Sequence, residues 1–328
     1  TAGVADSGVL SASALTATST GTATSTAQTN FVGVSFGSGN GSTTSSSLSQ
    51  TVDARIGKGA VVTLGSGAAT LTAMGTATST ASTSGVTVAG VEVGVMNISA
   101  STAGSVNAFI GDGATVTAGS VALSATGTQT PTVSSSFVGV SGLSIGLTTV
   151  SASDTTAVTA YVGSAAGGTQ ATSVTTTGAG GITATATGTS KTRATADFVS
   201  VGILGSGGQD VEIGIAVPAL AAGEVVSQSR LFQDVREEER PYTVTVRVVR
   251  DGLLGSGGKT TTTATSASSA LAFVGTNASV DSQGYDIAFT GVAKAAVTAQ
   301  GSGGNPSLGV AAGTASSTAT LTTTVGAY

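Results

Sequence analysis

Histidine, cysteine and tryptophan are absent from this 328-residue chain, charged residues make up only 8% of it, and proline occurs four times. Each shortage removes a class of function. Without His or Cys there is no imidazole- or thiolate-ligated metal site, no Ser-His-Asp or Cys-His nucleophile and no disulfide framework. Eleven Lys and Arg against 16 Asp and Glu give a net charge of −5, so no basic surface for nucleic acid is expected. No run of about 18 apolar residues occurs, which excludes insertion into a membrane as a helix. The glycine runs at Ser206–Gly208 and Gly301–Gly304 lack the Lys-Ser/Thr of a phosphate loop, and no cofactor is expected. The opening TAGVADSGVL has neither a basic n-region nor an apolar h-region, so an export signal is expected to lie outside these residues.

What is present is small and β-prone. Hydrophobic residues make up 40% of the chain but aromatics only 4%, and glycine occurs 49 times. Low charge with abundant Val argues for a folded chain, and the scarcity of straight-chain helix formers argues against helix. Leu15–Thr26 reads LTATSTGTATST and Ile182–Ala196 reads ITATATGTSKTRATA. Threonine at every second position is the period of a strand, and the glycine clusters between such stretches read as turns. The fold class expected is all-β.

The sequence repeats itself. ARIG at Ala54–Gly57, AFIG at Ala108–Gly111, AYVG at Ala160–Gly163 and AFVG at Ala272–Gly275 place their glycines 54, 52 and 112 residues apart, the last spacing reading as two steps of 56. TGTATST at Thr20, MGTATST at Met74, TGTQTPT at Thr126 and TGTSKTR at Thr187 keep the same beat, as does FVGVS at Phe31 and Phe137. A unit that cannot bury its own face stacks on copies of itself. With no shorter period visible inside the repeat, the pattern predicts a β-solenoid of about six repeats of about 53 residues, one wide coil each, over residues 1–328 as a single domain. Phe109, Tyr161 and Phe273 are then expected to stack in register along the axis.

One repeat differs. Residues Gln209 to Lys259 carry 14 of the 27 charges of the chain. LGSGG at Leu204 and again at Leu254 keeps the beat, so 209–259 reads as a diverged, charge-rich repeat within the solenoid. Its charges either pair among themselves as a solvated excursion or form a partner-binding patch built from Arg230, Arg236, Glu237, Glu238, Glu239, Arg240, Arg247 and Arg250. Catalysis would require carboxylates converging at a fixed separation, which a sequence does not display; an enzyme is not expected.

The units A-[FY]-[IV]-G-x-x-A-x-V-x-x-G, followed by SVALSATGT (Ser120–Thr128) and FVGVSGLSIG (Phe137–Gly146), resemble the repeats of large secreted bacterial filamentous adhesins and exoproteins, the filamentous-haemagglutinin-like and autotransporter-type surface proteins. The resemblance covers nearly the whole chain apart from the charged repeat. It implies a β-solenoid shaft at the cell surface, extracellular, which spaces an adhesive tip from the membrane, and it brings no catalytic residues. Both ends of the sequence fall at nearly the same phase of the repeat, so continuation of a longer shaft or head-to-tail stacking of copies is expected, with host or surface glycans as further partners. Two alternatives stand beside this structural and adhesive role: a Thr-rich face that binds ice or a crystalline polysaccharide, and a β-helix enzyme acting on polysaccharides.

Overall fold

Alternation of Thr with Ala, Ser or Gly yields strands, and the beat stacks them. The computed structural model describes the backbone at residues 1–164, 168–215, 231–237, 243–306 and 310–327, and side chains at 1–36, 41–88, 95–139, 149–164, 168–197, 269–300 and 324–327. The chain is all-β, a stack of parallel strands. Its short strands are β1 (Ala2–Val4), β2 (Val9–Ser11), β4 (Val61–Thr63), β6 (Thr115–Ala118), β8 (Thr172–Thr176) and β12 (Ala278–Asp281). Its long ones are β3 (Leu15–Ile56), β5 (Ala68–Ile110), β7 (Ser120–Val162), β9 (Ile182–Ile215), β11 (Thr243–Val274), β13 (Ile287–Pro306) and β14 (Val310–Ala327), joined by the seven-residue β10 (Leu231–Glu237).

The long strands β3, β5 and β7 each double back. Thr44 Oγ1 donates to Thr29 Oγ1 at 2.7 Å and Ser46 Oγ to Ser25 Oγ at 2.9 Å, which places the second half of β3 against the first. The coil is therefore flat: an outgoing side, a tip near residue 36, a returning side, and a short closing segment. The closing segments β2, β4, β6, β8 and β12 form their own five-stranded parallel ladder. One wide coil per repeat is what the structure shows, and six rungs stand at the corner where Val4, Ile56, Ile110, Val162, Val274 and Ala327 end their strands.

The interior explains the second sequence anchor. Gly21, Gly75 and Gly127 pair in one inward column. A Cβ at these positions would lie 2.6, 2.5 and 2.6 Å from the side chains of Val52, Val106 and Val158 on the returning side. The glycine of each TG or MG unit is the space that a facing valine fills. Elsewhere Ala69, Ala73, Ala108, Ala125, Ala160 and their neighbours are fully buried, so two sheets of small side chains approach closely and pack densely. In the first two rungs part of the interior is polar, and its hydroxyls satisfy one another: Thr44 lies 2.8 Å from Thr83, and Ser79 Oγ donates to Ser46 Oγ at 2.9 Å.

Above the third rung, chain order and spatial order part. β9 follows β7 up to the pair Asp154–Ile215. The chain then supplies the outermost rung of the outgoing side, with β10 pairing β13 over Leu231–Glu237 and β11 pairing β13 from Thr243. β11 next runs along β9, with Thr265 opposite Gly214, and drops one rung so that Ser269 sits on Ala157 of β7. β13 inserts between β9 and β10. The 112-residue gap read as two steps is a single step at the anchor corner: Gly275 N–H donates to Val162 O at 2.7 Å, as Gly163 N–H does to Ile110 O at 2.8 Å.

Candidate functional site

The anchor corner gathers the aromatic residues. Alternation points position 109 and its equivalents outward, and register stacks them. Phe109 and Tyr161 have ring centroids 5.0 Å apart and planes 1° apart; Tyr161 and Phe273 lie 5.2 Å and 5° apart. Arg55 occupies the same column one rung below Phe109. Burial pushes the Tyr161 phenol up to about 12, the Asp53 carboxylate adds to the rise, and Arg55 opposes it. The flanking column is a polar ladder: Thr159 Oγ1 donates to Asn107 Oδ1 at 2.7 Å, and Asn107 Nδ2 donates to Asp53 Oδ1 at 2.8 Å. Because the ring faces cover one another and Phe273 is buried, the column is packing geometry and not the open face on which a sugar stacks.

Next to the aromatic column the turns Asp6, Lys58 and Asp112 alternate in charge. Lys58 N–H donates to Asp6 Oδ1 at 3.1 Å, Lys58 Nζ stands 3.8 Å from Asp112 Oδ2, and Arg55 stands 4.0 Å from Asp6. Asp6, Lys58, Gly113 and Gln170 line a shallow depression of about 610 Å³. Its one carboxylate, Asp6, already has Arg55 as a cationic neighbour. Among the described residues no group of three His, Cys, Asp or Glu gathers to hold a metal ion.

The outer face of the outgoing side is a threonine lattice. Thr22, Thr76, Thr128 and Thr189 form one column across four rungs, and Thr24, Thr78 and Thr130 the next. Met74 interrupts it with 41% exposure, and on the fourth rung Arg193 replaces the threonine above Thr132.

Of the charged patch, Arg230, Glu238, Glu239 and Arg240 lie outside the described residues. Arg236 and Glu237 are placed by backbone in β10, and Arg247 and Arg250 in β11, beside β13. What the sequence reading missed is Asp154, an inward-facing carboxyl at the pair where β9 leaves the stack. It accepts from Thr102 Oγ1 at 2.9 Å and from Thr156 N–H at 3.1 Å. Burial raises its pKa, against the pull of hydrogen bonds from Ser190, Thr156 and Thr102. The only signal in the sequence is a lone Asp at an inward position of an alternating strand.

Comparison with protein-family models, curated proteins and solved structures finds no match to the chain.

Proposed function

We propose that this chain is a stretch of the shaft of an extracellular bacterial fibre, a structural and adhesive component rather than an enzyme. One observation carries the reading: β3, β5 and β7 are hydrogen-bonded rung to rung, in register, along nearly their whole length. Such a stack is extended by adding rungs, and each new rung repeats the pairing of the last. The outer edge of β3 from Leu15 to Asp53 has no strand partner within the described residues, because β1 pairs only Ala54, Arg55 and Ile56. An open edge of that length accepts a further rung, from the same polypeptide or from a second copy. Immunogold electron microscopy of the producing cells, with an antibody against this chain, tests the proposal. Labelled surface filaments are expected; label confined to the cell interior, or to dispersed particles in the medium, would overturn it.

The four-rung threonine column favours a second reading, adhesion to an ordered lattice such as ice or crystalline polysaccharide. Rungs about 4.8 Å apart and outward residues about 6.8 Å apart make a regular grid of hydroxyls. Thermal hysteresis of the purified chain, lost when Thr76 and Thr128 are replaced by Lys, is the outcome this reading requires; no hysteresis and no retention on crystalline polysaccharide reject it.

A further inference from the structure

Nearer the tip, the same outer face carries a second lattice, and this one is apolar. Val32, Val86 and Val138 pair in one column, Val34 and Val88 in the next. Val86 and Val88, with a rung on either side, are still 44% exposed. Val32 and Val34 are more exposed, but they border the open edge, so the second-rung values measure the face itself. Phe36 stands on the same face with 93% exposure.

Beneath these columns, on the inner face of the same stretch, Gly85 leaves room that the Phe31 ring fills. A Cβ there would fall 2.1 Å from the ring of Phe31. Phe31 and Phe137, two rungs apart, lean across the gap until their ring centroids are 5.9 Å apart. On the outer face above them, Asn30, Phe31, Val32, Val86, Ser136 and Val138 line a shallow groove of about 300 Å³.

We propose that this valine stripe is a lateral packing surface on which a second copy of the chain lies side by side with the first. The pairing is isologous, with Phe36 of each copy entering the shallow groove between Val32, Val86 and Val138 of the other. Three observations choose this occupant. The first is period: branched side chains repeating about every 4.8 Å along the axis and 6.8 Å across it interdigitate along their length only with a surface of the same period, and a second stripe has it. The second is area. The stripe from Val32 to Phe36, over the three rungs of β3, β5 and β7, spans roughly 300 Å² of sheet, against the ~800 Å² each partner gives to a standard interface. Pairing between single chains is therefore weak and strengthens with every rung added. The third is charge. The column bordering the stripe runs Asn30, Ser84, Ser136 and Asp197, with no cation to hold an anionic lipid surface.

This inference does not rest on the fibre reading, because pairing through one face holds or fails whether or not the stack continues axially. Sedimentation velocity of the full chain, from about 10 µM to about 1 mM, spans the affinities expected for so small an interface. A concentration-dependent dimer is expected. Its dissociation constant rises about tenfold or more in the Val86→Asp/Val88→Asp variant and is unchanged in Thr76→Asp/Thr78→Asp on the same strand. Phe36→Ser, at an exposed position that leaves the strand signal in circular dichroism intact, weakens pairing several-fold. Electron micrographs of the dimer show doubled width. A chain that stays monomeric to the top of the series, a dimer of doubled length, or equal sensitivity of the two Asp pairs overturns the proposal.

Discussion

The three lower rungs and the three upper ones are built to the same cross-section by different routes. In β3, β5 and β7 each rung lies on the one that precedes it in the chain, residue on residue from Ala69 through Ile110 with one skipped position near the tip. In the upper half a rung is assembled from separate stretches: β9 stops at Ile215, and β11 comes down two passes later to complete the same level over Ala157–Val162. A rung thus requires a matching column and a free edge; it does not require the next stretch of chain. Side-chain volume makes the same point. Leu71, Leu123, Ala184 and Phe289 share one buried column, and the phenylalanine sits directly above the alanine. Volume lost on one rung is recovered on the next, even though the two residues are 105 apart in sequence.

The strongest way to break that comparison is to empty one column in each half. Phe289→Ala in the upper half is expected to cost about 3–5 kcal/mol, and Ile110→Ala in the lower half about 2–5 kcal/mol, since both side chains are fully buried. Nearest-neighbour coupling predicts different consequences. Urea unfolding followed by hydrogen exchange should show Phe289→Ala advancing exchange in β9, β13 and β14 while β3 and β5 keep their protection. Ile110→Ala should advance exchange in the lower rungs. If either variant moves both halves equally, the solenoid is one cooperative unit and the two routes of assembly leave no energetic trace.

Much of this architecture was legible in the sequence. Alternation gave strands, the spacing of the A-[FY]-[IV]-G units gave the coil length, and in-register stacking follows once copies of one unit lie on each other. The glycine cluster Gly37–Ser42 marked the tip of the first coil, whereas the matching tips of β5 and β7 were hidden because their Val/Ala/Ser/Gly alternation reads as unbroken strand. The seam was hidden for a different reason. Sequence distance counts residues along the chain, whereas rung order is set by which edge is free, so 112 residues between Gly163 and Gly275 read as two steps where hydrogen bonding makes one. Asp154 was unreadable because its environment comes from Thr102 below and Ser190 opposite, and neither is near it in sequence.

A smaller effect tests how the polar interior differs from the aliphatic one. Thr44 bridges Thr29 and Thr83 inside the first two rungs, whereas Ile98 on the second rung and Val133 and Val150 on the third form an apolar cluster. Thr44→Val keeps the shape and strands two hydroxyls, so a loss of about 1–2 kcal/mol is expected in urea titration, concentrated in the lower half. No loss would mean that these hydroxyls find other partners and that the interior is held by shape alone.

At the seam the comparison can be tuned with protons. The Asp154 pKa is raised by burial, so the neutral form is the one the fold favours. Its contribution is complete below the ordinary carboxyl value and is lost as the pH rises through the raised one. Thermal stability should therefore fall across that window in the native chain. Asp154→Asn, which stays neutral, should melt higher than the native chain at neutral pH and match it in acid. An Asn variant less stable at neutral pH would show that the carboxylate, not the acid, is what holds the seam.

The smallest effect belongs to the corner, where backbone bonds and charges can be separated. Gly57, Gly111, Gly163 and Gly275 each donate a backbone hydrogen bond to the rung below at 2.7–2.9 Å, in both halves alike. The charges Asp6, Lys58 and Asp112 belong only to the lower half, and the Lys58 side chain is 57% exposed where it meets Asp112. An exposed pair of this kind contributes about 0–0.5 kcal/mol, and salt screens it. Lys58→Met should thus shift the unfolding midpoint barely at all, and not at all in high salt. A loss well above about 1 kcal/mol would place the stability of the lower corner in its charges, and the equivalence of the two halves at their anchor glycines would no longer hold.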